Sequence, residues 1–249
     1  MPTSPQPAPL AVVLVAPRNP LNIGAAARAM ANFGIHDLRV VSPFERAWRE
    51  AKSAVEAEEI LTAAREFPTL SAALADRNLV LGTATSRYRR PGQPHYFLPH
   101  AAPIVHAALA AGGKAALVFG PEKHGLTRDN LSLCHALVEI PTQPAQPSMN
   151  LGQSVAVCLY ELAAKLPPPP TPDEPIPHPG PTSAEIDRLA ERILTVASLA
   201  NYSPATMQAA NREDLRLLLR RWQLTPLDTR RALGLFRRVE WHLRQKRGP

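Results

Sequence analysis

Cysteine is nearly missing: only Cys134 and Cys158 occur in 249 residues. That excludes a disulfide scaffold and a cysteine-built zinc site. No apolar run approaches the roughly 20 residues that span a bilayer. The opening residues, MPTSPQPAPL, hold no basic stretch and no long apolar run. The expectation is therefore a chain without a secretory signal, working in the cytoplasm. Eight histidines are present, but none is spaced as metal ligands are, so no metal is expected. No internal repeat is visible, and residues 16–24 lack the G-x-G-x-x-G run that a dinucleotide-binding fold needs after its first strand.

Proline and basic charge are abundant instead. The chain has 28 prolines against 12 glycines, and 28 Lys+Arg against 21 Asp+Glu, for a net charge of +7. With 45% hydrophobic and 20% charged residues, it has the composition of a globular protein. Nine of the fifteen residues from 167 to 181 are proline. Such a run forms neither helix nor sheet ladder and reads as an extended, semi-rigid linker. It separates residues 10–166 from 182–249, with residues 1–9 expected to be a disordered leader. Residues 1–166 carry net +3, the linker −2 and residues 182–249 net +6. Most of the excess thus sits in the tail, which suggests a polyanionic partner.

In the first unit, short apolar runs without polar alternation occupy Leu10–Ala16, Leu38–Val41, Leu79–Gly82, Ala115–Gly120 and Leu137–Ile140. That is the signature of parallel strands covered on both faces. Helical stretches are predicted between them, near 22–33, 47–64, 69–75, 102–111 and 150–165. The fold class is α/β with a mostly parallel sheet, and its site is expected beyond the carboxyl ends of the strands.

The tail reads as all-α, with helices near 183–200, 212–222 and 226–246. Thr182 with Glu185, Asn211 with Asp214, and Thr225-Pro226-Leu227-Asp228 read as helix starts. On the last helix, about 100° per residue places Ala232, Leu235, Phe236, Val239 and Leu243 on one face. Arg230, Arg231, Arg237, Arg238 and Trp241 fall on the other. These are the candidate RNA-binding residues, with arginines for phosphates and Trp241 for a base. A solvated basic face with one tryptophan accounts for the same pattern.

Three clusters follow strands. In the first, Asn22 and Gly24 enter a helix, and Arg28 stands among alanines. In the second, Gly120 and Gly125 bracket Glu122, where glycine permits close approach or a positive φ. In the third, Ile140-Pro141 precedes Ser148-Met149-Asn150 at a helix start, and helix capping alone accounts for Ser148 or Asn150. His124 reads as a loop residue.

Together these clusters resemble the SpoU branch of the SPOUT RNA methyltransferases. The likeness rests on Asn22/Gly24/Arg28, on Phe119/Gly120/Glu122/Gly125/Leu126 and on Ile140/Pro141/Ser148/Asn150/Val155. It covers about 10–165, in the family's order and spacing. Met149 replaces the usual leucine, a volume-conserving swap. Gly82-Thr83-Ala84-Thr85-Ser86-Arg87, Tyr160-Glu161-Leu162 and the helical tail, with Leu215-Arg216 and Leu224-Thr225, liken it further to members that methylate tRNA.

The resemblance implies a deep trefoil knot near the carboxyl end of the α/β unit, a homodimer with the site at its interface, and S-adenosylmethionine as cofactor. It implies methylation of a ribose 2′-hydroxyl, at nucleotide 32 of the tRNA anticodon loop. Carried over from the family, Arg28, Asn22, Glu122, Ser148 and Asn150 are the catalytic set. Thr83, Gly120, Gly125, Ile140, Ser148 and Met149 line the cofactor site. Arg28 binds the adjacent phosphate and the developing alkoxide, and Glu122 holds Arg28 or Asn22. Two other readings stand beside this one: ribosomal RNA as substrate, and a catalytically silent RNA-binding protein on the same scaffold.

Overall fold

In the computed structural model, residues 9–45, 48–85, 92–164, 179–202 and 207–246 are described. The leader up to residue 8, linker residues 167–178, and Ser86 and Arg87 lie outside them. Seven strands form one sheet: β1 (Leu10–Val15), β2 (Asp37–Val41), β3 (Arg65–Phe67), β4 (Leu79–Thr83), β5 (His95–Phe97), β6 (Ala115–Phe119) and β7 (Ala136–Glu139). Their order is β3-β2-β1-β6-β4-β7-β5, and every pairing is parallel. β1, β2 and β6 are buried along their whole length, as central parallel strands must be.

One face of the sheet is covered by α1 (Pro20–Asn32), α2 (Glu58–Ala63), α4 (Leu98–Ala110) and α6 (Leu151–Ala164). The other carries α3 (Leu70–Leu74) and α5 (Arg128–Ser132). Small side chains explain the alanine run in α1. It lies against α6, where a Cβ on Gly152 would meet the Ala25 Cβ at 2.6 Å. Behind it, a Cβ on Gly24 would come within 2.9 Å of the Ala54 nitrogen. At the amino ends of the strands, Asp37 accepts from Arg39, Arg65 and Arg77 at 2.9, 2.9 and 2.6 Å. Arg39 and Arg77 are buried there, so part of this unit's basic charge is structural.

The tail forms α7 (Ser183–Leu199), α8 (Gln208–Arg221) and α9 (Pro226–Lys246) around Ile186, Leu189, Ala190 and Leu219. It packs on its own chain. The Ser183 N–H donates to the Arg77 carbonyl at 2.7 Å, and Asn78 Nδ2 donates to the Gly180 carbonyl at 2.7 Å. Higher on α7, Asp187 accepts from Ser71 at 2.9 Å and from the buried Arg220 at 2.8 Å. Thr182 with Glu185 forms a reciprocal capping box, and Thr225 with Asp228 makes the same exchange.

Several sequence expectations change. The predicted helix over 47–64 is only a 3-10 turn (Trp48–Glu50), a loop and α2. The buried Trp48 interrupts it, with its Nε1 donating to Glu66. β3 and β5 escape prediction because each is a three-residue edge strand with no apolar run. α5 is five residues long and was hidden by the polar sequence RDNLS. α4 begins at Leu98 rather than 102, because proline is tolerated in a first helical turn. α8 starts at Gln208, so Asn211 and Asp214 lie inside it rather than at its start. Leu235 is 61% exposed, because it sits at the edge of the buried arc of α9. Leu233 packs in its place. Pro9, assigned to the leader, is fixed by its carbonyl, which accepts from Ala115 at 2.7 Å.

Candidate functional site

Strand order brings the three motifs together. β1, β6, β4 and β7 are neighbours, so the loops leaving their carboxyl ends share one rim. Glu122 is the hub. Its carboxylate accepts from Asn22 Nδ2 at 2.8 Å and from the N–H groups of Arg18 and Asn19 at 3.2 and 3.3 Å. Asn150 Nδ2 then donates to Asn22 Oδ1 at 2.8 Å. Residues up to 128 positions apart thus form the chain Glu122–Asn22–Asn150. Partial burial pushes the Glu122 carboxyl up, but the hydrogen bonds from Asn22 and the backbone outweigh it, and the group is held below its usual range. It is therefore a carboxylate near neutrality, and it fixes which way the Asn22 amide points.

Asn150 has a second task. Its Oδ1 accepts from the Gly152 N–H at 2.9 Å and the Gln153 N–H at 3.4 Å, capping α6. The cap is thus Asn150 and not Ser148, and capping and network membership coexist in one side chain.

Beside this chain lies a cavity of about 370 Å³. Thr83, Gly120, Gly125, Ile140, Ser148 and Met149 all line it, as does Glu122. The loop from 120 to 126 crosses itself so closely that a Cβ on Gly120 would lie 2.3 Å from the Gly125 carbonyl carbon. Gly125 has φ +66, a left-handed conformation that suits glycine. Leu126, Val138 and Leu151 supply apolar walls. Thr83 Oγ1 donates to the Val118 carbonyl at 3.0 Å. Thr85 Oγ1 is buried with no partner among the described residues. An apolar slot edged by backbone and one unspent hydroxyl suits a nucleoside with an amino-acid arm, and the volume falls in the usual range for such sites. The residues present therefore fit S-adenosylmethionine. Thr85 was not singled out as a site residue; its place just past a strand end was the available signal.

Arg28 stands apart. It is exposed, outside the cavity lining, and has no hydrogen bond or ion pair among the described residues. Of the two partners expected for Glu122, the structure selects Asn22. Both cysteine thiols are buried, and burial pushes each up to about 12, so neither is a nucleophile near neutral pH. A larger cavity, about 1230 Å³, lies between α7 and α8 against Ile193, Leu194, Leu217 and Leu218. No motif reaches it.

On α9, Arg230, Arg231, Arg237, Arg238 and Trp241 are all exposed. The Arg238 guanidinium carbon lies 5.6 Å from the Trp241 ring centroid. Among the described residues no helix is long and apolar enough to cross a membrane.

Comparison with known proteins places the chain in a family. A model described as the SpoU rRNA Methylase family matches residues 9–160. The tRNA (cytidine/uridine/adenosine-2'-O-)-methyltransferase TrmJ of Pseudomonas aeruginosa (strain UCBPP-PA14) is 42% identical over 152 residues, 61% of this chain and 59% of that protein. The tRNA (cytidine-2'-O-)-methyltransferase TrmJ of Methanocaldococcus jannaschii is 36% identical over 163 residues, 63% of this chain and 68% of that protein. This chain thus spans about three fifths to two thirds of the length of these relatives. The crystal structure of TrmJ from Z. mobilis ZM4 superposes with a TM-score of 0.81 at 29% identity, covering 94% of this chain and 100% of that one. With the family model matching well over half its length, the chain belongs to the SpoU rRNA methylase family.

Proposed function

We propose that the protein is an S-adenosylmethionine-dependent tRNA methyltransferase that modifies a ribose 2′-hydroxyl, at nucleotide 32 of the anticodon loop. The observation that carries this reading is the hydrogen-bonded chain Glu122–Asn22–Asn150 on the rim of a nucleoside-sized cavity. The names of the two tRNA-methylating relatives support tRNA over ribosomal RNA.

Thr83, Gly120, Gly125, Ile140, Ser148 and Met149 would hold the cofactor, with Thr85 as a further donor. When bound, it supplies an electrophilic sulfonium methyl group. Asn22, oriented by Glu122, positions the ribose. Asn150 locks Asn22 from the other side. Arg28, which has no partner among the described residues, binds a phosphate of the RNA and stabilises negative charge developing on the 2′-oxygen. A guanidinium offers donors and no acceptor, so the hydroxyl proton passes to phosphate or water. Precise positioning of a weak nucleophile is a large part of such a reaction.

Residues 10–166 serve as the methyltransferase unit, 167–181 as a tether and 182–249 as an RNA-binding extension. The strand order, in which β6 inserts between β1 and β4, is compatible with the trefoil knot that the motifs imply. The enzyme works as a homodimer. Exposed apolar side chains on α1 and α6, Leu21 and Tyr160, support that pairing.

Mass mapping of ribose methylation on tRNA and ribosomal RNA, with labelled cofactor, tests the reading. A methyl group on tRNA nucleotide 32 is expected. Methylation of ribosomal RNA alone overturns the substrate, a methyl at another tRNA position overturns the nucleotide, and failure to bind cofactor overturns the activity.

A further inference from the structure

We propose that a cleft between α7, α8 and α9 grips the sugar-phosphate backbone of the RNA, at the same end of the sheet as the methyl-transfer site. The inference rests on the RNA-methylating reading and adds residues on α7 and α8 to the α9 stripe.

The cleft encloses about 940 Å³ and is lined by Arg188 and Arg192 of α7, Arg216 of α8, and Arg230 and Arg237 of α9. Among the described residues the carboxylates in its lining are Asp187 and Glu191. Both are already engaged by arginines that do not line it: Asp187 by Arg220 at 2.8 Å and Glu191 by Arg212 at 3.2 Å. Among the described residues Arg188, Arg230 and Arg237 have no carboxylate partner. Arg216 gives one nitrogen to Asp129 at 3.0 Å and keeps a buried Nε with no partner among the described residues. Arg192 is held by Glu240. Three guanidiniums without a carboxylate partner thus stand beside two paired ones where the acids of the lining are spent, an arrangement that favours entry of an anion. Gly234 lies between Arg230 and Arg237 along the helix, and a Cβ there would meet nothing within 4 Å. That absence of bulk lets a backbone approach closely. The lining is arginine-rich rather than aliphatic, so it suits phosphates and not an apolar helix.

Placement follows from the topology. α7 starts at the amino ends of the strands, where Ser183 bonds Arg77 just before β4. It then climbs. Asp187 meets Ser71 at the start of α3, which follows the carboxyl end of β3. Arg216 meets Asp129 in the first turn of α5, directly after the loop that carries Glu122. At about 1.5 Å per residue, Arg188 to Thr195 reach the rim where the cavity opens. RNA held there runs past the site, and Arg231, Arg238 and Trp241 extend the same track on α9.

The test compares the full-length protein with R188Q/R230Q/R237Q for binding of an unmodified tRNA transcript, as a function of salt. R244Q removes one positive charge from α9 outside the cleft lining and serves as the control for each single loss. Each lost phosphate contact lowers the slope of log affinity against log salt by about 0.7–0.9. The triple variant is expected to lose about 2–3 units of slope and on the order of tenfold to a hundredfold in affinity near 0.1 M salt. Its cofactor affinity and thermal midpoint should match the parent's, and R244Q should keep the full slope. R188Q alone tests the cleft apart from the α9 stripe, whether or not the triple variant folds, and should lose about one unit; a parental slope in R188Q leaves the RNA on the α9 stripe and overturns the cleft. A wild-type slope in these variants, with tRNA still methylated by the parent, overturns the cleft and leaves the methyltransferase reading intact. Absence of tRNA binding by the parent overturns both. A change of oligomeric state in the triple variant, with unchanged RNA binding, assigns the cleft to a subunit interface and overturns the proposal.

Discussion

Gly120→Ala probes the crossing of the cofactor loop directly. An added Cβ would lie 2.3 Å from the Gly125 carbonyl carbon, 2.4 Å from the Leu126 nitrogen and 2.8 Å from the Gly125 Cα. All three are backbone atoms of the same loop, so no side chain can swing away. Ordinary contact needs about 3.4 Å or more, so the loop must open by roughly 1 Å. Overpacking of this kind costs about 1–3 kcal/mol, and a rigid backbone neighbour places it at the upper end. For a chain of this size that lowers the thermal midpoint by about 6–12 °C. Opening the loop also displaces Glu122, two residues along, and the wall of the cavity. S-adenosylmethionine binding, read by calorimetry, should weaken at least about tenfold. Gly125→Ala is the internal comparison. It meets nothing within 4 Å but has φ +66, so it carries only the left-handed penalty of about 1–2 kcal/mol. A Gly120→Ala protein with the parent's midpoint and cofactor affinity would refute the loop crossing as described.

Four further outcomes follow from the same geometry. Glu122→Gln puts an amide donor among three N–H donors; it should cost about 1–2 kcal/mol and slow methyl transfer by at least about tenfold, and parent-like turnover would remove Glu122 from the network's function. Arg28→Ala should abolish methyl transfer while cofactor affinity stays within a factor of about two, since Arg28 does not line the cavity; near-parental rates would sink its role. Burial and the nearby Arg220 hold His135 at about 3, well below its usual 6.5, so its contribution is present above pH 6.5 and is lost as pH falls toward 3, by at most about 1.4 kcal/mol per pH unit; urea midpoints from pH 7 to 4 measure it, and an unchanged slope in His135→Asn would count against it. Asp187→Ala strands the buried Arg220 and should cost about 3–5 kcal/mol in urea unfolding; a loss under about 1 kcal/mol would mean that the tail's docking does not depend on this pair.

The amino-acid sequence by itself determined the local elements whose cause is local. Continuous apolar runs specified β1, β4 and β6 because a strand covered on both faces needs no alternation. Thr182 with Glu185, and Thr225-Pro226 with Asp228, marked helix starts because capping is a matter of three or four neighbouring residues. The motif residues were also legible, since each cluster is contiguous. Tertiary structure alone decided how they combine. Glu122 could meet Arg28 or Asn22 on paper; the adjacency of β1 and β6 sets Glu122 against the start of α1, where Asn22 stands, and Arg28 lies further along the helix. Ser148 and Asn150 were equal candidates for a cap until the backbone placed the Asn150 oxygen at the Gly152 N–H. Edge strands β3 and β5 were invisible because three residues paired on one side carry no period. The long helix expected over 47–64 failed because Trp48 found a buried place that periodicity does not register. The arginines of α7 and α8 were not singled out, because a sequence records how much charge a segment carries and not which helices face each other. Packing is a property of residues far apart in the chain, and that is where the hydrogen-bonded chain, the cavity and the arginine cleft arise.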